Sequence, residues 1–417
     1  MDRAPSVTGA PPPAEGRSDD SAARPPRAVA IALGLCLGPA AALGVARFAY
    51  ALLLPPMRAE LHWSFVIAGA MNTANALGYL LGALIAAPTS RRWGTSRAFL
   101  VGLGVTVGAL LATAATGDVT VLALLRAIAG VAGAICFISG AGLVAEVGRA
   151  GSPRRAAALL GVYFAGGGAG IVASGLAIPW LLAATPARVG WRWGWVLLAG
   201  LGLLAFGVAL PAARSCREPS ARPSMDRHWP MSRFRALLAG YALFGAGYIA
   251  YMTFIVAFLK DGGAGQGEVA SFWVVLGAAS LGGALLWVRP LVRLHGGRAP
   301  GAVLAVLSVG ALLPLISQSP EAAIASAVLF GGSFLAVVTA VTIVAQRSLL
   351  PHPWTPAIAA LTVAFALGQC LGPVLAGVLS DGPAGLTAGL GLSAGILIIA
   401  AMVALFQRDY EVSPALG

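Results

Sequence analysis

Apolar residues run along this chain in long stretches, and the charged residues gather in short clusters between them. About 20 apolar helical residues cross a hydrocarbon core ~30 Å thick. Such stretches occur twelve times, near residues 28–54, 65–87, 98–115, 119–146, 156–184, 193–213, 236–259, 268–288, 299–317, 321–346, 356–380 and 385–406. The ~10-residue alternation of a membrane β-barrel is not evident. The pattern therefore predicts an all-α integral membrane protein of twelve transmembrane helices. The longest internal polar stretch, 214–235, falls between the sixth and seventh spans and divides the chain into two six-helix bundles, 28–213 and 236–407. Tails 1–27 and 408–417 flank them.

Glycine patterning suggests that the two bundles are copies of one unit. At an offset of 202 residues, Gly166, Gly170 and Gly175 of the fifth span match Gly368, Gly372 and Gly377 of the eleventh. Composition agrees with a lipid-solvated chain: 58% of residues are hydrophobic, 10% are charged, and there are 55 glycines, which let membrane helices approach closely.

The net charge of +12 matters through its distribution. Lys and Arg are retained on the cytoplasmic side of a membrane. Twenty-one basic residues fall in one set of connections and tails, from the N-terminal tail through Arg91, Arg92, Arg97, Arg149, Arg154, Arg155, the 214–235 linker and Arg298 to Arg408. Only Arg58, Arg188, Arg192 and Lys260 fall in the other. Both termini, the tails and the linker are expected in the cytoplasm, the protein being a multi-pass component of an inner (plasma) membrane. This asymmetry accounts for the charge without nucleic acid as a partner. The Pro/Ala/Ser-rich stretch 1–27 reads as a disordered tail, with no cleavable leader before a first span that is retained. Cys36, Cys136, Cys216 and Cys370 have neither disulfide nor metal spacing, so no metal or other cofactor is expected.

Two charges remain inside the spans, Arg47 and Arg126. A charge in the bilayer costs from ~2.5 to over 10 kcal/mol, so such residues face a cavity or a partner. From the span limits, each lies about 10 Å below the outer surface. Asn72 and Asn75 share a helical face at similar depth. No Asp, Glu or His lies mid-span, which excludes hydrolytic or metal chemistry there and leaves the arginines without a counter-ion. An anionic, carboxylate-bearing substrate would supply one. Arg47, Asn72, Asn75 and Arg126 are the candidate substrate-binding residues, with Tyr248, Tyr251 and Gln369 from the second half. Alternatives stay open: Arg47 snorkelling to headgroups, Arg126 pairing with Asp118 or with carbonyls at a span end, and the asparagines bonding between helices. Glu146, at the inner end of the fourth span, is the acid available for proton coupling or for a gating salt bridge with Arg149, Arg154 or Arg155.

From residue 28 to 407 the chain resembles the major facilitator superfamily. Leu122, Arg126, Gly130, Gly133 and Ala134 are similar to the Arg-x-x-x-Gly signature of its fourth helix, with Ala129 in place of the common Gln. The resemblance implies a coupling or substrate-responsive role for Arg126. Gly368-x-x-x-Gly372-Pro373-x-x-x-Gly377 is similar to the fifth-helix signature of many antiporters, although this chain's own fifth span has Ile171 at the proline position. The loop Arg91-Arg92-Trp93-Gly94-Thr95-Ser96-Arg97 lacks the family's aspartate, and so does the loop Arg293 to Arg298. Within the superfamily, Gly44-Val45-Ala46-Arg47-Phe48-Ala49-Tyr50, Leu54-Pro55-Pro56-Met57, Gly78-Tyr79, Phe244-Gly245-Ala246-Gly247-Tyr248 and Thr253-Phe254 resemble the YbfB-like branch. The resemblance implies a monomeric secondary transporter that moves a small-molecule solute by alternating access between its halves. Proton-linked efflux, proton-linked uptake and facilitated exchange stay open, as does an exporter of drugs or sugars. A transporter-like membrane sensor is the rival from another class.

Overall fold

The structure, a computed structural model, describes residues 25–149, 151–218, 231–349 and 354–408. Its first span is composite: α1 (Pro25–Pro39), a π-helical segment (Ala40–Phe48) and α2 (Tyr50–Leu61) run end to end. The N-terminal half continues with α3 (Phe65–Trp93), α4 (Thr95–Ala114), α5 (Val119–Arg149), α6 (Pro153–Ala184) and α7 (Ala187–Arg214). The C-terminal half comprises α8 (Arg235–Asp261), α9 (Gln266–Leu286), the short α10 (Val288–Arg293), α11 (Arg298–Ile316), α12 (Pro320–Arg347), α13 (Trp354–Ser380) and α14 (Gly385–Leu405). Eleven of the spans meet length and apolarity limits for crossing a membrane, and α9 completes the twelve-helix, two-bundle architecture expected from the sequence. Several helices outrun their apolar windows: α3 continues to Trp93, and α2 passes through Pro55 and Pro56 to Leu61. Serine caps set three of the starts. Ser64, Ser152 and Ser319 Oγ accept from the N–H groups of Ile67, Arg155 and Ala322, at 3.2, 3.3 and 3.2 Å.

The glycine match between the fifth and eleventh spans has a packing basis. Backbone atoms of Cys36 and Ala40 in the first span occupy the places where side chains on Gly166 and Gly170 of α6 would begin. The carbonyls of Ala242 and Ala246 in α8 do the same to Gly368 and Gly372 of α13. Each half thus seats its first helix against its fifth through two glycines four residues apart. The third glycine of each trio faces the opposite half: Gly175 meets Trp273 and Val274, and Gly377 meets Phe65 and Val66.

The halves meet chiefly through α3 with α13 and α6 with α9. Among the described residues, hydrogen bonds between them fall mid-molecule or toward the end away from the Arg91, Arg149 and Arg347 cluster, here termed the far end as against the basic end. At the far end, Asp381 reaches across from just beyond α13. Its two oxygens accept from the N–H groups of Phe65 (2.7 Å) and Val66 (3.0 Å) in the first turn of α3, where unpaired N–H groups and the helix dipole favour an anion. Phe65 also packs edge-on against Phe254 (5.9 Å between centroids), and the Arg58 guanidinium sits 3.8 Å from its ring centre. Between that end and the middle, Trp273 Nε1 donates to Ser174 Oγ at 3.2 Å.

The loop before α4, which lacks the family's aspartate, receives an acid from the linker instead. Glu218 accepts from the N–H groups of Thr95 (2.6 Å) and Ser96 (3.1 Å), beside Gly94, whose φ of +88° suits only glycine. Partial burial raises its carboxyl, but the hydrogen bonds from Thr95 and Ser96 outweigh it and hold the group below its ordinary 4.5. A carboxyl depressed on folding adds stability above its unfolded pKa and loses it as pH falls through the folded value. Thermal unfolding of wild type and Glu218→Gln should therefore differ at pH 7 and converge as pH falls below the ordinary carboxylate range and through the folded value. A gap constant over that range would assign the residue a packing role instead.

Candidate functional site

The π-helical segment carries the first charged side chain of the site. Here the backbone bonds from residue i to i+5, as in Ala49 N–H to Gly44 O (3.0 Å) just past the segment's end, a local widening common at functional positions. Arg47, one residue before the end of this segment, is 4% exposed and donates through Nη2 to Gln369 Oε1 of α13. Its guanidinium carbon also lies 5.2 Å from the Tyr79 ring centre. Because α2 extends to Leu61, Arg47 is 14 residues, about 21 Å, from that helix end, roughly twice the depth read from the apolar pattern. Its side chain reaches across the molecule to Gln369 of the other half.

Arg126, in α5, is 2% exposed and has two acceptors: Nη1 bonds the Ala46 carbonyl at 2.6 Å and Nη2 bonds Asn72 Oδ1 at 3.1 Å. Its guanidinium carbon is 4.8 Å from the Tyr50 ring centre and 5.7 Å from that of Trp195, within cation–π range. Asn72 passes the chain on, donating to Thr253 Oγ1 of α8 at 2.6 Å, while Asn75 donates to the Arg126 carbonyl at 3.0 Å. Thr73 Oγ1 donates to the Cys370 carbonyl at 2.7 Å. Arg47–Gln369, Asn72–Thr253 and Thr73–Cys370 therefore all join one half to the other.

Two features define the chemistry of this cluster. Both guanidiniums are buried beside neutral acceptors, and the salt bridges Glu146–Arg149 and Glu60–Arg192 lie elsewhere. In addition, Arg47 Nε, Arg126 Nε and Gln369 Nε2 are buried with no hydrogen-bond partner. All three are donors, and each unpaired donor costs about 1–3 kcal/mol.

Of the candidates from sequence, Arg47, Asn72, Asn75, Arg126 and Gln369 converge. Tyr248 lies within electrostatic reach of Arg47 and stacks among aromatic rings. Tyr251 does not join them: it hydrogen-bonds Ser326 at 2.5 Å and stacks on Phe330 at 4.0 Å, inside the C-terminal half. Glu146 lies 20 residues, about 30 Å, along α5 from Arg126 and pairs with Arg149 at 2.9 Å. Asp118, the alternative partner for Arg126, instead accepts from Val121 N–H at 2.8 Å. Sequence reasoning considered Thr253 as a cavity-lining residue without selecting it, and left out Tyr50, Tyr79 and Trp195. A signal existed for two of these, since Tyr50 follows Arg47 by three residues and Tyr79 follows Asn75 by four, one helical turn in each case.

Comparison with known proteins agrees with the fold. A family model described as an uncharacterised MFS-type transporter, YbfB, matches residues 39–405. Among solved structures, a bacterial homologue of the human lysosomal transporter Spinster, in an inward-facing and unoccupied conformation, is 17% identical with a TM-score of 0.72, the alignment covering 94% of this chain and 100% of that one. The nucleoside transporter NupG is 13% identical with a TM-score of 0.69, over 91% of this chain and 100% of that one. Identities this low establish a shared fold and nothing finer. No curated protein matches the sequence.

Proposed function

The chain belongs to the YbfB-like major facilitator transporters and is a multi-pass membrane transporter, and from that premise we propose that its solute is a small organic anion bound between Arg47 and Arg126 and carried by alternating access. One observation carries the reading: two buried cations beside neutral acceptors, with three unpartnered donors and no carboxylate. A carboxylate would satisfy both deficits through charge-assisted, bidentate contacts. Its arrival would also compete with Gln369 for Arg47 and with Asn72 for Arg126, loosening two of the ties between the halves. Solute binding and rearrangement are thereby linked through the same side chains.

With the basic end on the cytoplasmic side, as the charge asymmetry favours, the far end latched by Asp381 faces outward and the described arrangement is closed to the exterior. Arg126 is then the residue through which solute acts on the halves, and Glu146 with Arg149 belongs to the cytoplasmic gate.

The test is a panel of carboxylates, neutral sugars and lipophilic cations, added to purified protein with the unfolding temperature as readout. Stabilisation confined to carboxylates is expected, followed by uptake of the same compounds into proteoliposomes. Stabilisation by sugars or cations alone would overturn the anion reading in favour of a sugar or drug exporter. Carboxylate binding without any flux would indicate a sensor built on this fold.

A further inference from the structure

Resting on the anion reading, we infer that the solute is an aromatic carboxylate, its charged group held by the N-terminal half and its ring by the C-terminal half. Beside the arginines stands a continuous wall of rings. On α8, Tyr241, Phe244 and Tyr248 follow at steps of three and four residues and so share one face. Their rings lie nearly parallel, with Tyr241–Phe244 centroids 5.9 Å apart at 10° and Phe244–Tyr248 4.9 Å apart at 22°. Phe365 of α13 stacks against all three, at 4.8, 5.5 and 5.6 Å. Phe334 extends the wall from Tyr248 (6.2 Å, 12°) and meets Phe48, the neighbour of Arg47, edge-on at 5.9 Å.

This wall is placed to serve the site. Phe365 precedes Gln369 by one turn on the same face of α13, and Gln369 is the residue bonded to Arg47. Tyr79 also meets Arg47, its ring centre 5.2 Å from the guanidinium carbon. Phe365 and Tyr79 are only partly buried, unlike Tyr241, Phe244, Tyr248 and Phe334.

The hydroxyls point the same way. A buried phenol ordinarily finds a hydrogen-bond partner. Tyr50, Tyr163 and Tyr251 do so, with the Ala68 carbonyl, the Phe137 carbonyl and Ser326. Tyr79, Tyr241 and Tyr248 have none among the described residues. Their hydroxyl oxygens are not enclosed, so they meet open space, and near Arg47, beside Tyr79 and Tyr248, a flat, polar-edged ligand would supply their partners.

Parallel stacking contributes about 0.5–1.5 kcal/mol beyond area burial, or roughly three- to tenfold in affinity. The probes are matched pairs, benzoate with cyclohexanecarboxylate and phenylpropanoate with cyclohexylpropanoate, together with benzamide as the uncharged ring, titrated calorimetrically into full-length wild type. The aromatic member of each pair should bind about three- to tenfold tighter, with benzamide silent. In Phe365→Leu the two members should converge, through weaker aromatic binding. Equal affinities within both pairs on wild type would overturn the aromatic inference and leave the anion reading intact. Benzamide binding as tightly as benzoate would overturn the anion reading instead. The wild-type comparison needs no variant, so it decides the matter even if Phe365→Leu does not fold.

Discussion

Replacing Arg126 with Gln should weaken carboxylate binding by about thirtyfold or more while leaving the unliganded protein as stable as before, or more so. The two halves of this expectation come from the same geometry. The Arg126 charge is buried among Ala46 O, Asn72 Oδ1, Tyr50 and Trp195, with Nε unpaired and no carboxylate beside it. A cation so placed is costly to the empty protein, and removing it relieves that cost. When an anion is bound, truncating one partner of a buried charge pair costs about 2–5 kcal/mol, which is roughly thirty- to several-thousandfold. Thermal unfolding without and with a bound carboxylate separates the effects. A variant that loses stability without ligand and keeps its affinity would make Arg126 a structural residue, one whose bond to the Ala46 carbonyl holds the π-helical segment in place.

Asp381→Ala should shift the halves toward the arrangement that is open at the far end, by about tenfold. A hydrogen bond to a charged group contributes roughly 1.5–3 kcal/mol when shielded, and solvent screening at this exposed position cuts the two together to about 1.4 kcal/mol, the tenfold shift expected. Their loss also uncovers the N–H groups of Phe65 and Val66 in the first turn of α3. Spin labels at Ala59 and Ala384, in a background free of Cys36, Cys136, Cys216 and Cys370, report the separation across that end. A wild-type distribution centred on the short distance should gain a long component in the variant. An unchanged distribution would show that Gly69 against Pro373 and Gly377 against Phe65 hold that end without the carboxylate.

Much of the architecture was legible in the chain because lipid imposes a simple rule. Apolar stretches long enough to cross the bilayer must be helices, since every backbone group has to be bonded within its own segment. Arg47 and Arg126 were equally visible, a charge in an apolar span being the most expensive residue there. The repeated glycines of α6 and α13 were readable as a duplication because close backbone approach excludes every other side chain. Tyr50 and Trp195 were not readable as parts of the site, because a tyrosine or tryptophan in a membrane helix carries no cost that singles it out. Tyr251 looked equivalent to Tyr248 by composition, yet lies three residues further along α8 and finds Ser326.

The sequence by itself determined which segments cross the membrane, where the chain divides, which end is basic and which two charges had to find a purpose. These properties are local, set by composition over a span or a connection. The tertiary structure alone decided how deep Arg47 lies, because α2 runs on through two prolines that the apolar pattern does not mark as helix. It also decided that Arg47 meets Gln369 322 positions away, that Asp381 closes on the start of α3, and that the loop without its aspartate is served by Glu218. Each of these depends on how the helices are rotated and set against one another, and in a bilayer that is governed by side-chain packing and a few interhelical hydrogen bonds, for which hydropathy carries no signal.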